Sequence, residues 1–386
     1  MRIALTVARY SVTGVPEVQM RLATELVRRG FAVDLVVFGR WPAAWPDRNV
    51  RLVELGSSRA AVALPRLVRY VRSARPTAII SAEDHVNVIT LLAARASGVG
   101  VSTCVTSHVP FFESHVPPWR KGFWITRLMA RLYPTAQCVA TVSAGLGDEL
   151  AGVIDLPRAA IKTVYNPVVT DRMREQMAAP DPHPWLIGDG PPVVCGCGSL
   201  HPRKGFDVLL RSFASLASEW ELRLIVIGTG RERSRLEALA RVLGVAGEVA
   251  FVGAVPNPLA YMARARLFVL SSTFEGLPTV LIEALACGTP VVSTDCPHGP
   301  REILDGGRYG HLVPIRDHLA LAAAMGKTLS DPPDPTVLRQ RAAAFTAERA
   351  VDEYMRNLKL PAQADHNRQA GSPLAGDRSR ARLRRE

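Results

Sequence analysis

The chain is short of lysine: only five of its 47 basic residues are Lys and the other 42 are Arg. It is poor in aromatics, at 6%. It contains no uninterrupted apolar run of about 18 residues, so nothing in it reads as a bilayer-spanning helix. Six cysteines (Cys104, Cys138, Cys195, Cys197, Cys287, Cys296) are scattered and never fall in a C-x2-C pair. They read as small buried hydrophobes rather than zinc ligands. No Asp-rich cluster is present, so a metal is not implied. What remains is 48% hydrophobic, ordinary for a folded globular protein. At 386 residues the chain is long for one core, and two domains are expected. The opening MRIALTVARYSV lacks a small-residue cleavage site and reads as a first strand, which favours a cytoplasmic protein. The net charge of +12 favours anionic partners.

The first half alternates strand-like runs (RIALTVA, FAVDLVVF, TAIIS, VSTCVTS, CVATVS, IKTVY) with helix-like ones. That alternation predicts βαβ units and a parallel sheet. It stops at a Pro- and Gly-rich run, 180–191, and restarts with PVVCGCG, ELRLIVIG, EVAFVG and LFVLSS. The expected organisation is an N-terminal Rossmann-like domain over 1–179, a linker over 180–191 and a C-terminal Rossmann-like domain over 192–346. An amphipathic helix over 347–360 packs back on the N-terminal domain, and an Arg-rich disordered tail covers 361–386. Ligands of such sheets bind beyond the carboxyl ends of the strands, here in the cleft between the two.

The segment FEGLPTVLIEALACG at 274–288 carries the most chemistry. Pro278 suits the first position of a helix that Gly288 closes. Glu275 then lies on the loop ahead of the helix and Glu283 one to two turns inside it. Unpaired first-turn N–H groups and the positive end of the dipole lie between them. Such a site can hold an anion on its backbone while carboxylates grip hydroxyls.

Further groups end other strands. Arg203 and Lys204 stand in a Gly-bounded loop at a helix entry, where they bind phosphate or form a solvated basic loop. A Lys in a chain that otherwise uses Arg hints at a specific role. Gly228-Thr229-Gly230 opens like a dinucleotide fingerprint, but Arg233 replaces its third glycine, which argues against NAD. Its glycines bring backbone near a ligand or simply make a turn. Val252 and Asn257 end another strand, at a base edge or in a plain βα turn. Thr13 and Gly14 link the first strand to its helix. His108 follows VSTCVTS and faces the cleft, as a donor to a leaving phosphate or as a structural histidine; His115, His201 and His298 are weaker candidates. The helix in WRKGFWITRLMARLY sets Arg120, Arg127, Arg131 and Trp124 on one face. Ile125, Leu128, Met129 and Leu132 lie on the other. The first face is a bilayer-interface surface or an ordinary solvated one.

Together these positions resemble glycosyltransferase family 4, the retaining nucleotide-sugar transferases of the GT-B fold, over roughly residues 1–358. STDCPHGPREIL at 293–304 is similar to members that build bacterial capsule, exopolysaccharide or lipid-linked oligosaccharide. The resemblance implies an α/β GT-B fold, two Rossmann-like domains facing across a central cleft, the N-terminal one (1–179) the acceptor domain and the C-terminal one (192–346) the nucleotide-sugar donor domain. It implies that Glu275 touches donor sugar hydroxyls and Glu283 the ribose. Lys204 and Arg203 hold the diphosphate, with the N–H groups of Gly276, Leu277 and Thr279. His108 faces the sugar and β-phosphate, and Gly14 lies under the diphosphate. The resulting expectation makes Glu275, His108 and Lys204 catalytic, and gives donor binding to Gly14, Arg203, Lys204, Gly230, Val252, Asn257, Gly276, Leu277, Thr279 and Glu283. No cofactor or metal is expected beyond the donor, a UDP-sugar. The acceptor is a lipid-linked or polysaccharide chain, the enzyme sits peripherally on an anionic inner membrane face, and nucleic acid is not a partner. Two positions depart from the family: Ser199 stands where an Arg is common, and Thr13-Gly14 replaces paired glycines. Another GT-B enzyme (a nucleotide-sugar epimerase or a soluble-acceptor synthase) and a non-catalytic nucleotide-sugar-binding module are the alternatives.

Overall fold

The computed structural model describes residues 1–9, 14–41, 48–57, 59–109, 121–180 and 182–361. Expectations for Thr13, His115, Arg120 and the tail past 361 fall outside them. Among the described residues thirteen strands form two fully parallel sheets. The first contains β1 (Arg2–Val7), β2 (Ala32–Val37), β3 (Val50–Glu54), β4 (Ala78–Ala82), β5 (Ser102–Ser107), β6 (Cys138–Thr141) and β7 (Ile161–Thr163). Their order is β3-β2-β1-β4-β5-β6-β7. The second contains β8 (Val193–Cys197), β9 (Arg223–Ile227), β10 (Val249–Gly253), β11 (Leu267–Leu270), β12 (Val291–Thr294) and β13 (His311–Val313), ordered β10-β9-β8-β11-β12-β13.

Strands such as β1, β4 and β11 are near-continuous apolar runs because helices cover both faces of a parallel sheet. The helix Val15–Arg28 shows why the connections are helical. Pro16 opens it, Glu17 lies in its first turn and Arg28 in its last, and Val18, Leu22, Ala23 and Leu26 bury one face. In each sheet the strand order reverses once, between β1 and β4 and between β8 and β11. A crevice opens beyond the carboxyl ends at each reversal, where ligands of such sheets bind. The loops that follow these strands build the site.

The terminal helix Ala347–Asn357 buries Val351, Tyr354 and Met355 among Ile3, Leu5 and Val33 of the first sheet. Arg29 fixes it by donating to Asp352 at 2.5 Å and to the Glu348 carbonyl at 2.8 Å. Between β7 and β8 the chain is tied to the second sheet's flank. Arg264 donates to the carbonyls of Met177 and Ala179, and Tyr261 to that of Pro182. Strands β3 and β13 and the helices His318–Ser330 and Pro335–Ala342 are additions to the alternation read from sequence. Among the described residues no helix is long and apolar enough to cross a membrane.

Candidate active site

The helix after β11 runs Thr279–Cys287. Pro278 occupies its N-cap, one position earlier than the first helical residue expected of it, with φ −69° and ψ 99°. Among the described residues no side chain caps this helix start, so its dipole and first-turn N–H groups are available to an anion. Gly288 closes it at φ +80°.

Glu275 is 6% exposed. Its Oε1 accepts from Lys204 Nζ, and from Ser272 Oγ at 2.6 Å. Its Oε2 accepts from Arg203 Nη1 at 3.3 Å. Both bases come from the short turn Pro202–Lys204 after β8. That turn ends at Gly205, φ +62°, whose absent Cβ leaves room for the Ser271 carbonyl. Thr273 N–H donates to the Arg203 carbonyl at 2.7 Å and Ser271 Oγ to the Lys204 carbonyl at 2.9 Å. The loops after β8 and β11 are therefore laced together at the reversal of strand order, and this presents Lys204, Arg203 and Glu275 as one cluster.

Glu283 is buried inside the helix, and burial pushes its carboxyl above the usual carboxylate range. Its partner comes from the other sheet. Arg21, on the helix after β1, donates to Glu283 at 3.1 Å, to Glu17 at 2.6 Å and to the Val168 carbonyl at 2.8 Å. Sequence reasoning did not single out Arg21. Its signal is the Glu17–Arg21 spacing of four on a helix whose other face is buried.

His108 follows β5 and is 8% exposed. Burial lowers its pKa to about 4, so the ring is neutral near pH 7. Its Nε2 is buried without a hydrogen-bond partner among the described residues. An unsatisfied buried polar atom is costly, which makes this nitrogen a candidate ligand contact. A Cβ on Gly276 would run into the His108 carbonyl oxygen. That contact brings the loop carrying Glu275 against the end of β5.

The other expected donor ligands are placed differently. Gly14 begins the helix after β1 with φ +71° and ψ −143°, a conformation suited to glycine, and among the described residues nothing lies within 4 Å of an added Cβ. Gly230 lets its turn pack on the backbone of Leu200. Leu277 is buried, and Thr279 opens the helix beside Glu275. Val252 is half-buried in β10 and packs on the core. Asn257 donates its amide to the Gln176 carbonyl at 2.7 Å and is thus engaged with the connection between the sheets.

A second contact between the two halves went unread. The Glu302 carboxylate accepts from the N–H groups of Ala144 and Gly145 at 2.8 and 2.9 Å, at the start of the helix Ala144–Ile154. His298 meets Glu149 at 3.0 Å beside it. On the helix Lys121–Leu132, Met129 and Leu132 are buried, whereas Trp124, Arg127, Leu128 and Arg131 are exposed. Leu128 therefore shares the exposed side with the arginines, contrary to the two-faced pattern expected of it.

Two parallel Rossmann-like sheets with ligand groups converging between their switch points define a GT-B type glycosyltransferase fold. Residues 12–172 match the family model described as Glycosyltransferase Family 4, and residues 191–331 the model described as Glycosyl transferases group 1. The lipopolysaccharide core biosynthesis glycosyltransferase LpsE of Rhizobium meliloti is 31% identical over 256 residues, 63% of this chain and 72% of that protein. The chain belongs to glycosyltransferase family 4. A Campylobacter jejuni N-acetylgalactosaminyltransferase, named for an N-acetylgalactosamine-N,N'-diacetylbacillosaminyl-diphospho-undecaprenol acceptor, is 27% identical over 235 residues. That match spans 60% of this chain and 60% of the relative's length. The crystal structure of Anabaena HepE in complex with UDP and glucose superposes with a TM-score of 0.73, covering 93% of this chain and 99% of that one at 18% identity.

Proposed function

We propose that this protein transfers a sugar, with retention at the anomeric carbon, from a UDP-sugar to a lipid-linked or polysaccharide acceptor of the cell envelope. The observation that carries the reading is the convergence of Lys204 and Arg203 on Glu275 at an uncapped helix start, facing a buried neutral His108. A nucleoside diphosphate sugar needs cations and N–H groups for its phosphates and carboxylates for its hydroxyls, and this cluster offers both. The names of the Rhizobium and Campylobacter relatives support an envelope acceptor.

In this reading the acceptor oxygen attacks the anomeric carbon on the face that the diphosphate vacates. The bond from that carbon to the β-phosphate oxygen breaks, its electron pair leaves with the diphosphate, and the acceptor hydroxyl proton passes to the departing phosphate. Lys204 has three N–H donors, so it can keep Glu275 and still donate to a phosphate oxygen. Arg203 and the helix N–H groups stabilise charge as it develops on the leaving group, and preorganised donors of this kind lower the barrier more than any other single effect in such sites. Glu275 orients the sugar. Glu283 takes the ribose hydroxyls in exchange for part of its contact with Arg21. His108 Nε2 meets the sugar and β-phosphate.

The exposed side of the helix Lys121–Leu132 supports peripheral attachment to the cytoplasmic face of an anionic membrane. Trp124 is 60% exposed and Leu128 41%, with Arg127 and Arg131 beside them. Cations flanking an amphipathic ring suit the headgroup region. Anionic liposomes should float the protein at low salt, and failure to bind them removes this part of the reading.

A thermal-shift panel of UDP-, GDP- and ADP-sugars tests the donor, because a ligand that binds only the folded state raises its midpoint by mass action. A rise with a UDP-sugar is expected. No rise with any of the three contradicts the nucleotide-sugar reading.

A further inference from the structure

At the switch point of the first sheet, the carboxyl end of β4 lies between those of β1 and β5. The residue there is Glu83, the N-cap of the helix Asp84–Ser97. It adopts φ +74° and ψ 123°, a region that residues with a side chain seldom enter and glycine enters freely. The surroundings enforce this. Asp84 accepts from Ser107 Oγ at 2.6 Å and from the Tyr133 hydroxyl at 3.0 Å. Asn87 donates to the Thr106 carbonyl at 3.0 Å and to the same hydroxyl at 2.9 Å. This buried network pins the start of the helix to the end of β5, next to His108. Strain held in place so completely is characteristic of functional positions.

The Glu83 side chain is not consumed by this network. The Ala8 N–H donates to it, while its Oε2 is buried without a hydrogen-bond partner among the described residues. The nearest base, His85 Nε2, stands 3.9 Å away, beyond hydrogen-bond range. Burial keeps the His85 ring neutral near pH 7, and burial also pushes the Glu83 carboxyl up. Arg9, at the end of β1, is the cation whose charge reaches Glu83. The corner thus gathers one buried, unpartnered carboxylate oxygen, one guanidinium and the neutral His85 imidazole, with His108 at the end of the neighbouring strand β5. That set is close to neutral and pairs a hydrogen-bond acceptor with a donor. It suits the vicinal hydroxyls of a sugar ring and offers no surplus positive charge to a second phosphate.

We propose that Glu83 is the acceptor-hydroxyl ligand of this enzyme, taking a hydrogen bond from a ring hydroxyl beside the attacking one so that a neutral, hydroxyl-rich glycan head is oriented toward the donor held across the cleft. No bond forms or breaks at Glu83, and the proton of the attacking hydroxyl still leaves with the diphosphate. The inference rests on the transferase reading above.

The test uses the full chain, Glu83→Gln and Glu83→Gly, and the UDP-sugar selected by thermal shift. Label is followed from that donor into the lipid and polysaccharide fractions of the source cells, with the amount of extract varied. Glycine relieves the positive φ, so Glu83→Gly should melt at or above the wild-type midpoint. Both variants should keep the donor-induced shift and acceptor-free donor hydrolysis within about twofold. Both should need at least tenfold more extract for half-maximal transfer. Wild-type extract dependence in both variants overturns the assignment, as does loss of the donor-induced shift, which would place Glu83 on the donor. A wild-type protein that binds UDP-sugar but labels no fraction overturns the transferase reading, and this assignment with it.

Discussion

Arg21 of the first half donates to Glu283 of the second at 3.1 Å, so a cation from one sheet's leading helix occupies the carboxylate that the proposed donor ribose requires. The pair holds the cleft in register before any donor enters.

Removing Arg21 leaves Glu283 buried without its cation. Arg21→Ala should cost roughly 2 kcal/mol at neutral pH, below the 3–5 kcal/mol of a fully buried pair because the guanidinium keeps some contact with water. The sign of its pH dependence follows from Glu283, whose carboxyl is already raised in the folded state by burial. Without Arg21 it rises further. The folded state then holds the extra proton between the unfolded and folded pKa values, and stability falls as pH rises through that window. Urea unfolding at pH 5 and pH 8 should show the larger deficit at pH 8, and Glu283→Gln in the same chain should erase the difference.

Ser199 leaves the loop after β8 without the arginine common in the family. Arg203, held over the Phe274 ring at 5.6 Å and bonded to Glu275, is the cation placed to take its role. Arg203→Ala should lower turnover about tenfold, roughly 1.4 kcal/mol. Adding Ser199→Arg should recover a measurable part of that loss. Rates unchanged in Arg203→Ala would assign the diphosphate to Lys204 and backbone alone.

Gly276 has no room for a side chain beneath the His108 carbonyl. Gly276→Ala should push the loop of Glu275 away from β5. Turnover should fall more than tenfold, while the UDP-sugar thermal shift falls much less, since Lys204, Arg203, Glu275 and Glu283 all stand on the second sheet. Steady-state rates beside thermal shifts check this.

His108 links pH to stability. Its folded pKa is about 4 because of burial, against about 6.5 in an unfolded chain. Between those values the unfolded state holds the extra proton, so stability is lost as pH falls from 6.5 toward 4, by about 3 kcal/mol in all. His108→Asn should show a clearly shallower slope than wild type in thermal unfolding scans across that range.

Much of this was legible from residues alone. Alternating apolar runs and helical periods gave two parallel Rossmann-like halves, because strands covered on both faces must be apolar throughout. The Glu275–Glu283 spacing located a carboxylate pair about a helix start, and Lys204 stood out against an arginine background. Other features escaped because they depend on pairing between distant segments. β3 mixes Arg51 and Glu54 with Val50 and Leu52, as an edge strand can, and so carries no clear strand signal. Arg21 and Glu302 are ordinary surface residues until the halves meet. Asn257 suits a base edge by its position after β10; its amide nitrogen donates to Gln176, a contact invisible in sequence, while its Oδ1 has no hydrogen-bond partner among the described residues. The strain at Glu83 is invisible in a sequence, where a glutamate before a helix looks like a plain first-turn acid.

The central claim is that Lys204 and Glu275 act together on a bound nucleotide sugar. Turnover of the selected UDP-sugar by Lys204→Ala and Glu275→Ala, each beside wild type, tests it most directly. Each variant should lose at least about tenfold, roughly 1.4 kcal/mol of barrier. Wild-type turnover in either one contradicts the account.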